Sequence, residues 1–132
     1  MVLNDPPLRT RSRHISFSST VSETFVVHKG LTEELAEGAI GYWKSKGMAI
    51  KNLQKPDIYS PKEPAVVEFV AEGGTIWTTN FDSYKKTIIV NLSGSAEQTD
   101  VMVQLVLPGG LMSLQDRERA AELIALFYKA LE

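Results

Sequence analysis

From Ala65 to Leu107 the chain alternates apolar and polar residues in blocks separated by glycine or polar turns. Ala65, Val67, Phe69 and Ala71 alternate with Val66, Glu68, Val70 and Glu72. A period of two marks an extended strand with one side turned to a core. Gly73-Gly74 is a two-residue hairpin signal, which predicts that Thr75 to Thr79 pairs back antiparallel as an extra hairpin strand. Asn80, Asp82 and Ser83 carry the chemistry of a second turn. Lys85 to Leu92 is rich in β-branched residues, which favour strands. Ser93 to Thr99 is a polar connection, and Val101, Val103, Leu105 and Leu107 share one side of the next strand. Hairpin-linked strands of this kind build an antiparallel sheet.

Upstream, Met1 to His14 reads as a flexible arm, with Pro6-Pro7 and with Arg9, Arg11 and Arg13 spaced by polar residues. Period two then places Ile15, Phe17, Val21, Phe25 and Val27 on one side of an extended chain. This predicts one long strand, or two collinear strands broken near Ser19. Lys29-Gly30 closes it. Thr32 is a fitting N-cap for a helix, with Glu33 and Glu34 where the helix dipole favours negative charge. Leu35, Ala36, Ala39, Ile40 and Trp43 form its core stripe, and Gly47 suits a left-handed cap. Gly38 and Gly41 cost helix stability, and close approach of the helix to the sheet is their expected use.

Met48 to Leu53 can form a short strand. Pro56, Pro61 and Pro64 forbid regular structure from Gln54 to Pro64. Ser113 and Asp116 resemble a capping box at the start of a second helix. Ala120, Leu123, Ile124, Phe127, Tyr128 and Leu131 give that helix a broad apolar face.

The expected class is therefore α+β, a two-layer sandwich of a five- or six-stranded, mostly antiparallel sheet with two helices on one face. The expected order is β-α-β-β-β-β-α, with residues 1–14 as an arm and 15–132 as one domain. This order resembles one half of the TATA-box-binding protein, and a reduced version of the helix-grip ligand-binding folds. The resemblance is one of architecture, with no sequence motif behind it, so it implies no activity.

Composition narrows the chemistry. The chain contains no cysteine, which removes disulfides, thiolate nucleophiles and cysteine-ligated metal sites. That fits a reducing interior, and cytoplasm is the expected location. No apolar run approaches the roughly 20 residues that span a bilayer, and the N-terminus lacks the apolar core of a secretory signal. A net charge of −2 provides no general attraction to nucleic acid or anionic lipid. His14 and His28 are the only imidazoles; His28 reads as a strand-end surface residue, and no G-x-S-x-G elbow is present. The carboxylates are dispersed without metal-ligand spacing, so we expect no catalytic residues, metal or cofactor. Pro108-Gly109-Gly110 before Ser113 outlines an anion-binding turn but lacks a P-loop lysine, and reads as a strand-to-helix connection.

What remains is the second face of the sheet. If the helices cover Phe17, Phe25, Val67, Phe69, Val103 and Leu105, the opposite face shows Val26, Val66, Val70, Ile89, Met102 and Val106 among polar residues. A contiguous patch there would mark a partner surface. The first functional expectation is thus a binding or assembly module using this open face as a homodimer, with Val70, Ile89 and Met102 as contact residues. The second is a small-molecule binder or enzyme with a pocket between sheet and helices near Trp43, Trp77 and Tyr84. The third, nucleic-acid binding through the arginine arm with Trp77, Phe81 and Tyr84, is the weakest, because the sheet carries few cations apart from Lys85 and Lys86 and no recognised nucleic-acid motif is present.

Overall fold

In the computed structural model the described residues are 12–15, 19–60, 63–94, 96–108 and 112–132. The elements are β1 (Ser12–Ile15), β2 (Thr20–Val27), α1 (Glu33–Ser45), β3 (Ala49–Gln54) and β4 (Ala65–Gly73). A 3-10 turn (Phe81–Ser83), β5 (Lys86–Gly94), β6 (Thr99–Val106) and α2 (Leu114–Leu131) follow. All six strands form one antiparallel sheet in the order β1-β2-β6-β5-β4-β3. The two-layer α+β sandwich and the order β-α-β-β-β-β-α hold for β2 onward, with β1 as a sixth strand. Helix α1 carries the chain from β2 to β3 at the far edge of the sheet.

The sixth strand is not the one expected. Thr75 to Thr79 makes a single bridge, Thr75 to Tyr84, and no strand. Side chains there capture the backbone instead. Thr75 Oγ1 accepts from Trp77 N (3.1 Å), Thr78 Oγ1 from Asn80 N (3.0 Å), and Asn80 Oδ1 from Asp82 N (3.1 Å). Such local bonds compete with a strand ladder. At the N-terminus, β1 and β2 are neither one strand nor collinear. They run antiparallel side by side, with Ser12 opposite Thr24 and Ile15 opposite Val21. Ser12 to His14 thus belong to the sheet, while Arg9, Arg11 and Phe17 lie outside the described residues.

The alternation read from sequence sorts the two faces. Val21, Phe25 and Val27 point inward with Val67, Phe69, Ala71, Ile88, Val90, Leu92, Val101, Val103 and Leu105, all buried. Against them pack Ala36, Ala39, Ile40 and Trp43 of α1, and Ala120, Ile124, Phe127 and Tyr128 of α2. Rings interlock across this layer. Phe25 meets Tyr128 edge-on at 4.5 Å, and Trp43 lies 5.1 Å from Phe127, within the range of favourable aromatic pairs. The inner face also holds Glu23, 1% exposed, in phase with Val21 and Phe25.

Both helix starts follow the expected chemistry. Thr32 Oγ1 accepts from Leu35 N (3.2 Å) and Ser113 Oγ from Asp116 N (3.0 Å), each satisfying an orphan amide. Gly47 takes φ +83° directly after α1, as its position suggested. Gly38 and Gly41, however, do not bring α1 close to the sheet. Both are exposed, and a Cβ at either would meet nothing within 4 Å. They lie on the helix face opposite the Ala36–Ala39–Trp43 stripe, where packing makes no demand for glycine.

Candidate functional site

Lys86 begins the site because it breaks the face rule. It shares its side of β5 with Ile88, Val90 and Leu92, so alternation turns a lysine inward, where only 5% of it is exposed. A buried ammonium needs acceptors. Its Nζ donates to the carbonyl oxygens of Tyr84 (2.7 Å) and Asp82 (3.0 Å), and stands 5.2 Å from the Phe81 ring centre. Two of its three donors are thereby used. Burial pushes its pKa below that of ordinary lysine, and the Asp82 charge opposes the shift. Lys86 is therefore not a surface cation of the sheet, as it had read in the sequence.

Asp82 sits in the 3-10 turn above Lys86 and faces α2. Arg119 grips it with a fork, Nε to Oδ1 at 2.8 Å and Nη2 to Oδ2 at 2.6 Å. Planar guanidinium suits this bidentate geometry. The Arg119 hydrogen bonds hold the Asp82 carboxyl below its ordinary pKa; the charges of Arg119, Lys86 and Lys46 add to the shift, against a smaller desolvation effect. Arg119 is correspondingly raised, chiefly by the bond to Asp82. The fork ties α2 to the β4–β5 connection.

Between these groups lies a cleft of about 440 Å³. Its apolar lining is Trp43 from α1, Met48 before β3, and Leu123 and Leu126 from α2. Its charged lining is Lys46, Lys86 and Arg119 with Asp82, three cations to one carboxylate. Gly73 and Gly74 complete the lining, and at Gly74 glycine is required. Gly74 has φ +93°, and a Cβ on it would lie 2.5 Å from the Tyr84 carbonyl oxygen. The α1 C-terminal carbonyls beside the cleft are already bonded: Trp43 O accepts from Lys46 N and Met48 N, Lys44 O from Gly47 N, and Tyr42 O from Ser45 Oγ. Lys46 Nζ stands 5.2 Å from the Tyr42 ring centre. Burial raises the Tyr42 hydroxyl pKa, with the Arg119 charge opposing.

The residues singled out from sequence divide among three places. Trp43 lines the cleft. Tyr84 lines a separate hollow of about 370 Å³ with Phe81, Leu107 and Pro108. Trp77 lines neither and is 87% exposed in the β4–β5 connection. Val70 and Ile89 are direct cross-strand partners on the outer face, with Met102 diagonal to Ile89. Polar pairs interrupt that face: Asn91 Nδ2 donates to Glu68 Oε1 at 2.7 Å, and Lys51 pairs with Glu72 at 2.7 Å. His28 is exposed near the end of β2, its backbone N–H donating to Glu132 Oε2 at 3.3 Å. In the proline-rich loop Lys55 reaches Glu37 of α1 at 3.3 Å.

Sequence reasoning missed Lys86, Arg119 and Asp82 as a group. The signal for Lys86 was present, since it keeps the phase of Ile88. Nothing local links Asp82 to a residue 37 positions away. No group of three or more histidines, carboxylates or cysteines that could hold a metal occurs among the described residues. No helix among them is long and apolar enough to cross a membrane. Comparisons with protein-family models, curated protein sequences and solved structures returned no match.

Proposed function

We propose that this domain is a binding module for a small molecule, received in the cleft between α1, α2 and the β4–β5 connection. One observation carries this reading. A cleft of about 440 Å³ combines an apolar wall with a few converging polar groups, the composition and size typical of small-ligand sites. Its lining comes from the C-terminal end of α1, the middle of α2 and the ends of β4 and β5, and sites carried on regular elements suit recognition. The cysteine-free composition fits a cytoplasmic setting.

The two tryptophans make the test direct. Trp43 lines the cleft and Trp77 is exposed, so Trp77→Phe leaves an emitter only at the site. Titrating that variant with the uncharged apolar probe N-phenyl-1-naphthylamine should quench Trp43 saturably at one probe per chain. Leu123→Arg, which puts a charge on the apolar wall, should abolish the quench. Quenching unaffected by Leu123→Arg would overturn the reading.

A second reading is homodimerisation through the outer sheet face. The Val70–Ile89 pair favours it, together with Met102 at 38% exposure and Val66 at 48%. Twofold association could cover such a surface. Light scattering across concentration should then show a dimer that Val70→Lys dissolves; a monomer at every concentration would eliminate it.

A further inference from the structure

We infer that the cleft selects an amphipathic anion, with a carboxylate- or sulfonate-sized head held by Lys46 and Lys86 and an apolar body laid against Trp43, Met48 and Leu123. This rests on the cleft being the binding site and adds the chemical class of its ligand. The argument begins with charge. Lys46, Lys86 and Arg119 line the cleft with one carboxylate, Asp82. Asp82 is committed to Arg119 through both of its oxygens. Lys46 and Lys86 make no ion pair with any described residue; Lys86 has two carbonyl partners and the Phe81 ring, and Lys46 the Tyr42 ring. With Asp82 paired to Arg119, the lining of this partly apolar cleft carries a net positive charge, and neither lysine has a carboxylate in direct contact.

Geometry adds to this. Lys86 is itself nine-tenths buried, with one donor left after its two carbonyl bonds. An anionic head could take that donor at no cost to the existing bonds. Lys46 is exposed at the rim, so it can follow the head without repacking the core. The rest of the lining is largely apolar and gives a polar body little to bond. Trp43, Met48 and Leu123 instead present indole, thioether and aliphatic groups. A cation is disfavoured by the same residues. A bare inorganic anion would leave the apolar wall unused.

The test compares two probes that differ by one charged group. 1-Anilinonaphthalene-8-sulfonate is N-phenyl-1-naphthylamine with a sulfonate added. Both are titrated into the full chain carrying Trp77→Phe, alone and combined with Lys46→Gln, Lys46→Arg or Lys86→Met. Lys46→Gln alters an exposed side chain and should fold normally. We expect it to weaken the sulfonate probe about fivefold, the upper end for an exposed charge pair, with Lys46→Arg restoring affinity. Lys86→Met should weaken it further, by about tenfold. The uncharged probe should change by less than twofold in every variant. Raising the salt concentration should weaken only the sulfonate probe. Equal responses of the two probes to Lys46→Gln would overturn anion selection while leaving the cleft as a binding site. If neither probe quenches Trp43, the cleft reading itself fails, and this inference with it.

Discussion

Phe69 and Val70 are neighbours in β4, yet they live in different environments. Phe69 is sealed between sheet and helices at 1% exposure, while Val70 is half-buried on the outer face beside Ile89. The inner face is a continuous apolar layer covered by two helices. The outer face carries apolar residues singly or in pairs, bridged by Asn91–Glu68 and Lys51–Glu72. β-branched side chains favour strands on either face. Strand-forming residues therefore do not by themselves mark a core; a covering layer does. The same comparison shows why the inner face can host chemistry. Where its apolar layer gives way to Lys86, the covering helices leave a cleft rather than a seal.

Substitutions can break or sharpen this contrast. The largest effect should come from Phe69→Ala, expected to lower stability by about 3–5 kcal/mol through lost burial and a residual cavity. Ile89→Ala, on the outer face, should cost only about 1 kcal/mol. Urea unfolding measures both, and similar costs would mean that the outer face is covered in solution. Lys86→Met should cost about 1–3 kcal/mol, because two carbonyls lose a charged donor. It also carries a pH signature. Since burial holds the folded-state pKa of Lys86 down, the wild-type domain gains stability as pH rises from that lowered value toward the ordinary lysine value. Lys86→Met should lack that alkaline gain in thermal melts.

Helix α1 extends the contrast between a packed side and an open side. Gly38→Ala, on the exposed side with free space for a Cβ, should raise stability by about 0.5–1 kcal/mol. A loss instead of a gain in the melting temperature would show that this side is packed in solution. The smallest effect is expected for Asp82→Asn, about 0.2–1 kcal/mol at neutral pH, because the fork is partly exposed. Asp82 has a lowered folded-state pKa, so its contribution is present above the ordinary carboxylate range. It is lost as pH falls through the lowered value. The difference between wild type and Asp82→Asn should therefore vanish in acid, which melts below pH 4 can check.

Much of the architecture was legible because it rests on local signals. Period two sorted Val67, Phe69, Val103 and Leu105 from Val66, Val70 and Met102, and the caps at Thr32 and Ser113 marked both helices. Pairing partners were less legible. Whether Ser12 to Ile15 continues β2 or folds back onto it depends on a reversal between Ile15 and Thr20 that alternation alone does not encode. Thr75 to Thr79 was misread because Gly73-Gly74 promised a hairpin, while Thr75, Thr78 and Asn80 captured backbone amides locally. Of the cleft, Trp43 and Leu123 were legible as apolar residues on helix stripes, Gly47 and Gly73-Gly74 as cap and turn, and Lys86 as a cation in phase with a core. The Asp82–Arg119 fork arises from tertiary packing, so its pairing left no pattern in the chain.

The outermost strand has a consequence of its own. β3 is exposed along most of its length, and such a strand is a template for fibre growth when it is flat. Here its register slips between Lys51 and Gln54, and Asn52 sits at φ +53° within the slip. An incoming chain would find a broken row of amides and carbonyls, with lysine side chains at positions 51 and 55. The break at this edge works against strand addition by a second copy there.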